Sequence, residues 1–212
     1  MNLTAKEYCA YIQKAAEAIA SQGDYVTQLD LAIGDGDHWV NINAGFQALC
    51  AMRPELETLC ISDCFKKIGM TLMSKMGGSS GVLYGSGYLA AAKAISGKSC
   101  ITLDELFCAM SAMRSSMMQR GNAQPGMKTM LDSLDPAITA YEREKNARQS
   151  QAELLAKVQQ AALQGAQATK NMPAVKGRAS YRIDQGVGYI DPGAVTMSIQ
   201  IQALCEYLTT LQ

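Results

Sequence analysis

Apolar residues recur at three- and four-residue spacing along most of this 212-residue chain. That is the period of an amphipathic helix and not the alternation of a half-buried strand. Residues 4–22, 39–52, 62–76, 80–96, 127–146 and 194–211 follow it. Two further helices mark their own starts. Thr102 and Glu105 open "TLDELFCAMSAMRSSMM", Ser150 and Glu153 open "SQAELLAKVQQAALQGAQA", and each pair supplies the hydroxyl and carboxylate of a capping box. Ser62 is expected to cap the helix over 62–76, and Pro136 to kink the one over 127–146. Alternating β-rich runs, repeats and low-complexity segments are missing. The pattern predicts an all-α protein of about eight helices, with residues 1–212 as a single domain.

Three segments break the pattern. One is the acidic bend at 30–38. The second is "MGGSSGVLYGSG", Met76 to Gly87, with five glycines. The third, "PAVKGRASYRIDQGVGYIDPGA" from Pro173 to Ala194, is a loop of a length uncommon in compact domains and usually functional or disordered. Tyr181, Ile183, Val187, Tyr189 and Ile190 make it too apolar for a solvated linker. It is expected to fold over something.

Composition narrows the classes. Lys+Arg and Asp+Glu balance at 19 each, so nothing suggests a general nucleic-acid binder. The apolar runs are too short and interrupted to span a bilayer, and the N-terminus lacks the apolar centre of a signal peptide. Seven cysteines form an odd, scattered set without a Cys-x-x-Cys pair. They read as reduced, mostly buried residues of a cytoplasmic protein.

Candidate chemistry starts at "LDLAIGDGDHWVNINAGF". Asp30, Asp35 and Asp37 fall within eight residues, with Gly34 and Gly36 among them, and His38, the only histidine, follows. Three carboxylates ~5 Å apart repel by about 3 kcal/mol per pair at an effective dielectric of 20. Either they splay into water, as turn and N-cap residues, or a cation compensates them. The glycines let offsets 0, 5 and 7 converge, which one continuous helix could not do. All-oxygen ligands point to Mg²⁺, which keeps waters and phosphate oxygens in its shell. "GGSSG" beside a helical run suits a phosphate, since helix N-termini present unpaired N–H groups and Ser79 and Ser80 add hydroxyls. It is not a Walker A loop, because no Gly-Lys-Ser/Thr follows. Close helix packing explains Gly85 and Gly87 better than a dinucleotide fingerprint does. Arg178 is either a phosphate partner or an ordinary surface arginine.

Together, "IGDGDHWVNINAGF", "GGSSGVLYG", "RGNAQPGMKTMLDSLDP", "KGRASY" and "DPGA" resemble, in order and spacing, the nucleotide-binding (DhaL) subunits of dihydroxyacetone kinases. The resemblance implies an eight-helix barrel with a Mg-nucleotide site at one end. Asp30, Asp35 and Asp37 would hold two Mg²⁺ ions. His38, Asn41, Ser79, Ser80 and Arg178 would contact phosphate, with His38 and Arg178 the residues closest to the chemistry and His38 a hydrogen-bond donor. Gly121, Met130, Asp191, Pro192 and Gly193 would frame the adenosine. The chain carries no dihydroxyacetone-binding domain, so it resembles the separate subunit of the phosphotransferase-system-dependent kinases. There ADP stays bound, a multiphosphoryl donor protein (DhaM-like) recharges it to ATP, and phosphate passes to the ketose on a DhaK-like partner subunit. Such subunits also bind transcription regulators, so the alternative is a non-catalytic, nucleotide-dependent regulatory paralogue. No direct nucleic-acid or membrane contact is implied.

The chain departs from the family pattern in three places. Trp39 stands for the glycine of "GDHG", Met127 for the acid of "GDKTM", and Tyr189 for the histidine before "DPGA". The metal aspartates, Arg178 and "DPG" are kept, so nucleotide binding is expected, while rate, partner and ketose are open to change.

Overall fold

The computed structural model of the protein describes residues 2–211. The chain is helical nearly throughout. In order it forms a two-residue strand β1 (Leu3–Thr4), α1 (Ala5–Ser21), α2 (Gly23–Ile33), α3 (His38–Ala51), α4 (Arg53–Leu56), α5 (Ile61–Lys75) and α6 (Gly78–Ala94). A second short strand, β2 (Cys100–Ile101), precedes α7 (Leu103–Gly121), α8 (Leu131–Glu144), α9 (Gln151–Ala168) and α10 (Pro192–Thr209). One-turn 3-10 helices lie between α9 and α10, at Thr169–Asn171 and Arg178–Tyr181. The two strands pair antiparallel, Leu3 opposite Ile101.

Both expected capping boxes form. Thr102 and Ser150 each accept the N–H of the glutamate three residues on, and each glutamate returns a bond to the cap backbone. The predicted cap at Ser62 does not form: α5 begins at Ile61 after Cys60, and Ser62 is buried inside the first turn. Ten α-helices stand among the described residues where eight were expected. The additions are α2, hidden by the β-branched Val26, Thr27 and Ile33 of a weak helix former, and the single turn α4, started by Pro54. α8 starts at Leu131, later than expected, and runs through Pro136 without a break. Among the described residues no helix is long and apolar enough to cross a membrane.

The helices gather into two compact units. One takes the chain before Ala18 together with Val40–Asn122; the other takes Ala18–Trp39 and the chain from Ala123 onward. In the first, α6 packs against α5 and α7. Its glycines allow the approach: a Cβ on Gly85 would sit 2.8 Å from the Gly69 carbonyl oxygen, and one on Gly87 would sit 2.7 Å from Met113. Tyr8, Tyr11, Phe65 and Tyr88 form an aromatic cluster, with the Tyr8 and Tyr88 hydroxyls 2.9 Å apart.

In the second unit, α10 packs on α9, α8 and α2. Fourteen of its 18 residues are buried, which accounts for a sequence that is apolar nearly all round. α8 and α9 touch backbone to backbone, since a Cβ on Gly165 would fall 2.0 Å from the Asp132 carbonyl oxygen. All seven cysteines are free, but only Cys9, Cys64 and Cys205 are buried, fewer than expected.

Candidate functional site

The acidic bend is narrower than its sequence suggested. Asp30 belongs to the last turn of α2, and only residues 34–37 are non-helical before His38 opens α3. Two glycines shape the bend. Gly36 has a φ of 79°, left-handed backbone that other residues adopt at a cost. A Cβ on Gly34 would come within 2.2 Å of Asp30 Oδ1, so only a residue without a side chain lets that carboxylate fold over the helix end. The result brings one carboxylate oxygen each from Asp30, Asp35 and Asp37 within 4.8 Å of one another.

The three aspartates differ in setting. Asp30 is buried, and its Oδ2 accepts the backbone N–H of His38 at 3.0 Å. Asp35 and Asp37 are exposed. Arg178 reaches Asp35 with a 2.5 Å Nη2–Oδ2 contact. It is positioned by the base of the 173–191 segment, where Ala174 and Ala179 pack against Ile33 at the end of α2.

His38 is held at its ring as well as its backbone: Nε2 lies 2.9 Å from Thr196 Oγ1 on α10. Burial lowers its pKa, opposed by the charges of Asp30 and Asp37. Thr196 is itself buried, and its hydroxyl donates to the Gly193 carbonyl at 3.1 Å. Asp191 caps α10, its Oδ2 accepting from Ala194 N at 2.7 Å. Burial raises its carboxyl to about 7, against the pull of that N–H and of Lys128. Gly193 faces Met130, whose backbone nitrogen would lie 3.7 Å from a Cβ there. Pro192 starts the helix with its φ already set.

Two residues beneath this arrangement escaped the sequence reading. Lys128 is only 2% exposed, and its Nζ donates to the carbonyls of Thr169, at 2.6 Å, and Tyr189. It therefore ties the end of the 173–191 segment to the end of α9. Burial lowers its pKa. Asp132, also buried, accepts the N–H of Thr129 at 2.7 Å and that of Gly126, fixing the turn on which Lys128 and Met130 sit.

The 173–191 segment is anchored at its base and bare at its tip. Backbone bonds join Ala174 N to Gln185 O at 2.8 Å and Gly188 N to Lys170 O at 2.8 Å. Arg182 forks onto Asp184 with two 2.8 Å bonds. The expectation that its apolar side chains cover something is not met: Tyr181 is 89% and Ile183 106% exposed.

The remaining candidates lie in the first unit. α6 starts at Gly78 without a side-chain cap, so Ser79 and Ser80 stand in its first turn. Neither hydroxyl bonds to another described residue. Asn41 lies against this helix start, its Oδ1 2.2 Å from where a Cβ on Gly77 would be. Gly121 closes α7, ahead of Asn122 in left-handed conformation. The Trp39 indole, in the second unit, donates to the Ile19 carbonyl at 3.0 Å and lies over Gly23.

Comparison with known proteins adds to this geometry. The DAK2 domain matches residues 32–206. The chain is 33% identical to the ADP-binding subunit DhaL of the PEP-dependent dihydroxyacetone kinase of Escherichia coli (strain K12), over 96% of this chain and 97% of that one. It is 33% identical to the corresponding subunit of the PTS-dependent kinase of Lactococcus lactis, over 96% and 98%. It is also 33% identical to the triokinase/FMN cyclase of Mus musculus, of which it spans 36%. The fold matches the dihydroxyacetone kinase of C. freundii with a TM-score of 0.73 at 24% identity, over 93% of this chain and 34% of that one. The same enzyme has been solved in complex with AMP-PNP and Mg²⁺ (TM-score 0.72).

Proposed function

The chain belongs to the DAK2 domain family, and we propose that it acts, as one domain over its whole length, as the ADP-binding subunit of a phosphotransferase-system-dependent dihydroxyacetone (or related ketose) kinase. The convergence of Asp30, Asp35 and Asp37 within 4.8 Å carries the reading. An all-oxygen cluster of this size fits a hard divalent cation, and its repulsion gives the cation a purpose. Asp30, Asp35 and Asp37 would hold the magnesium, which when bound would supply positive charge to offset that of the phosphates during transfer. Two ions against three carboxylates leave one positive charge to meet the nucleotide.

The chain's own part is to bind and position. Asp30, Asp35 and Asp37 would hold the cations, and Arg178, paired with Asp35 in their absence, would turn its planar fork to phosphate. Met130, Asp191, Pro192 and Gly193 offer the adenosine a wall that Lys128 and Asp132 hold from behind. In the other unit, the open start of α6, with Ser79, Ser80 and Asn41, offers phosphate unpaired N–H groups and free hydroxyls, and Gly121 is assigned to the adenosine. Bound ADP would receive phosphate from a DhaM-like donor and pass it to a hydroxyl of the ketose on a DhaK-like subunit. No side chain of this protein need carry phosphate covalently. Native mass spectrometry of the purified protein tests the reading: bound ADP with two magnesium ions is expected. Tight binding of ADP without metal, or no nucleotide binding at any magnesium concentration, would overturn it.

A further inference from the structure

We propose that Thr196 is a positioning residue for His38: it fixes the imidazole as the Nε2–H tautomer, so that Nδ1 presents a lone pair, not a proton, to whatever binds at the bend. The tautomer turns on a single proton. The Thr196 hydroxyl has one to give and two acceptors within reach, the Gly193 carbonyl at 3.1 Å and His38 Nε2 at 2.9 Å. Were it given to His38, Thr196 Oγ1 and the Gly193 oxygen would face each other with nothing between them. Given to Gly193, it leaves an Oγ1 lone pair for Nε2–H, and both contacts become attractive. A helical threonine bonding back to the carbonyl three residues earlier is a familiar arrangement. The turn is pinned further by Gln200, whose Nε2 donates to the Thr196 carbonyl at 2.9 Å. Thr196 is fully buried, so water does not compete for its hydroxyl.

His38 is thus fastened twice, by its N–H to Asp30 Oδ2 at 3.0 Å and by its ring to α10. Nδ1 has no hydrogen-bond partner among the described residues. In this tautomer it can only accept. A phosphate oxygen has nothing to give it, whereas a water held by a cation is a strong donor, and magnesium keeps several. The role that the resemblance gives His38, a donor to nucleotide phosphate, is replaced by that of an acceptor orienting metal-bound water. This last step rests on the reading of the bend as a magnesium–nucleotide site; the tautomer does not.

The chain has a single histidine, so ¹⁵N-histidine labelling gives one pair of ring nitrogens. In mildly alkaline buffer without ligand, the wild type is expected to show a protonated Nε2 and a bare Nδ1. Thr196→Val, nearly isosteric, should drift toward a mixture of tautomers, and Thr196→Ser should restore the wild-type pattern. A wild type with its proton on Nδ1, or Thr196→Val with an unchanged tautomer, overturns the proposal. If circular dichroism shows Thr196→Val unfolded, the wild-type and Thr196→Ser spectra still decide. Calorimetry with Mg-ADP tests the last step: Thr196→Val should bind about five- to tenfold more weakly, the effect of one hydrogen bond, and Thr196→Ser within about twofold of wild type. Unchanged affinity in Thr196→Val overturns that step. A wild type that binds no Mg-ADP overturns the kinase-subunit reading, while the tautomer result is still decided by the ligand-free spectra.

Discussion

Asp30, Asp35 and Asp37 share a charge and a neighbourhood, but only Asp30 is buried and bonded to the backbone at the bend. Removing it should therefore do two things. Asp30→Ala is expected to abolish magnesium-dependent ADP binding and also to leave the ligand-free protein about 1 kcal/mol less stable than Asp37→Ala, the usual cost of losing a carboxylate that holds a helix-start N–H, since relief of repulsion is common to both variants. Asp37→Ala should lose ADP equally but leave the ligand-free protein as stable as before, or slightly more so, because repulsion is relieved. Calorimetry and urea melts in EDTA check both; equal melts for the two variants would mean the His38 bond contributes nothing. At this scale the sequence was legible where residues cluster. Aspartates spaced by glycines announce a convergent bend. Thr196 announces nothing, being a threonine in an apolar helix, 158 positions from its partner. Lys128 is equally silent, since its acceptors are backbone carbonyls 41 and 61 residues away. Backbone acceptors leave no trace in side-chain chemistry.

Helix packing makes its own demands. The Gly69–Gly85 contact joins α5 and α6 so closely that Gly85→Ala would press a Cβ against backbone oxygen and Met73. Overpacking of this kind should cost about 1–3 kcal/mol, read as a lower urea midpoint; an unshifted midpoint would mean the helices separate freely. The buried Tyr8–Tyr88 pair adds a pH dependence. Burial raises both phenols, Tyr88 to about 12. The unfolded chain ionises them near pH ~10, so their contribution is whole below that pH and is lost as pH rises toward about 12. Tyr88→Phe should flatten the fall in stability across this window, as followed by urea melts at stepped pH. Element starts were legible where capping chemistry is local, as at Thr102 and Ser150. α2 was not, because its β-branched residues weaken the helical signal and it is sustained by packing against α10. The 173–191 segment misled for a related reason: its apolar content suggested cover, while backbone bonds and Lys128 order its base and Tyr181 and Ile183 point outward.

Across the whole molecule, charge is balanced at 19 of each sign, so no net charge favours an anionic ligand, and nucleotide binding as proposed would depend on what the bend itself can neutralise. There the Arg178–Asp35 contact has a thermodynamic consequence. On the proposed reading the guanidinium would be an internal competitor for the Asp35 carboxylate that a cation would need. Magnesium arriving alone would have to displace Arg178 with no anion to receive it, and ADP arriving alone would meet Asp30 and Asp37 uncompensated and Arg178 committed to Asp35. Together, each removes the other's obstacle. The two ligands should therefore bind with positive cooperativity, and the factor by which ADP tightens magnesium must equal the factor by which magnesium tightens ADP. Titrating each ligand in the absence and presence of the other measures it. Arg178→Ala should shrink the factor from both sides, letting magnesium bind better alone and worse in company. Identical magnesium affinity in wild type and variant, with ADP absent, would mean that the arginine imposes no threshold. On the proposed reading, the contact would set a threshold against free magnesium that the magnesium–nucleotide pair does not meet, a selectivity set by a side chain that need not touch the metal.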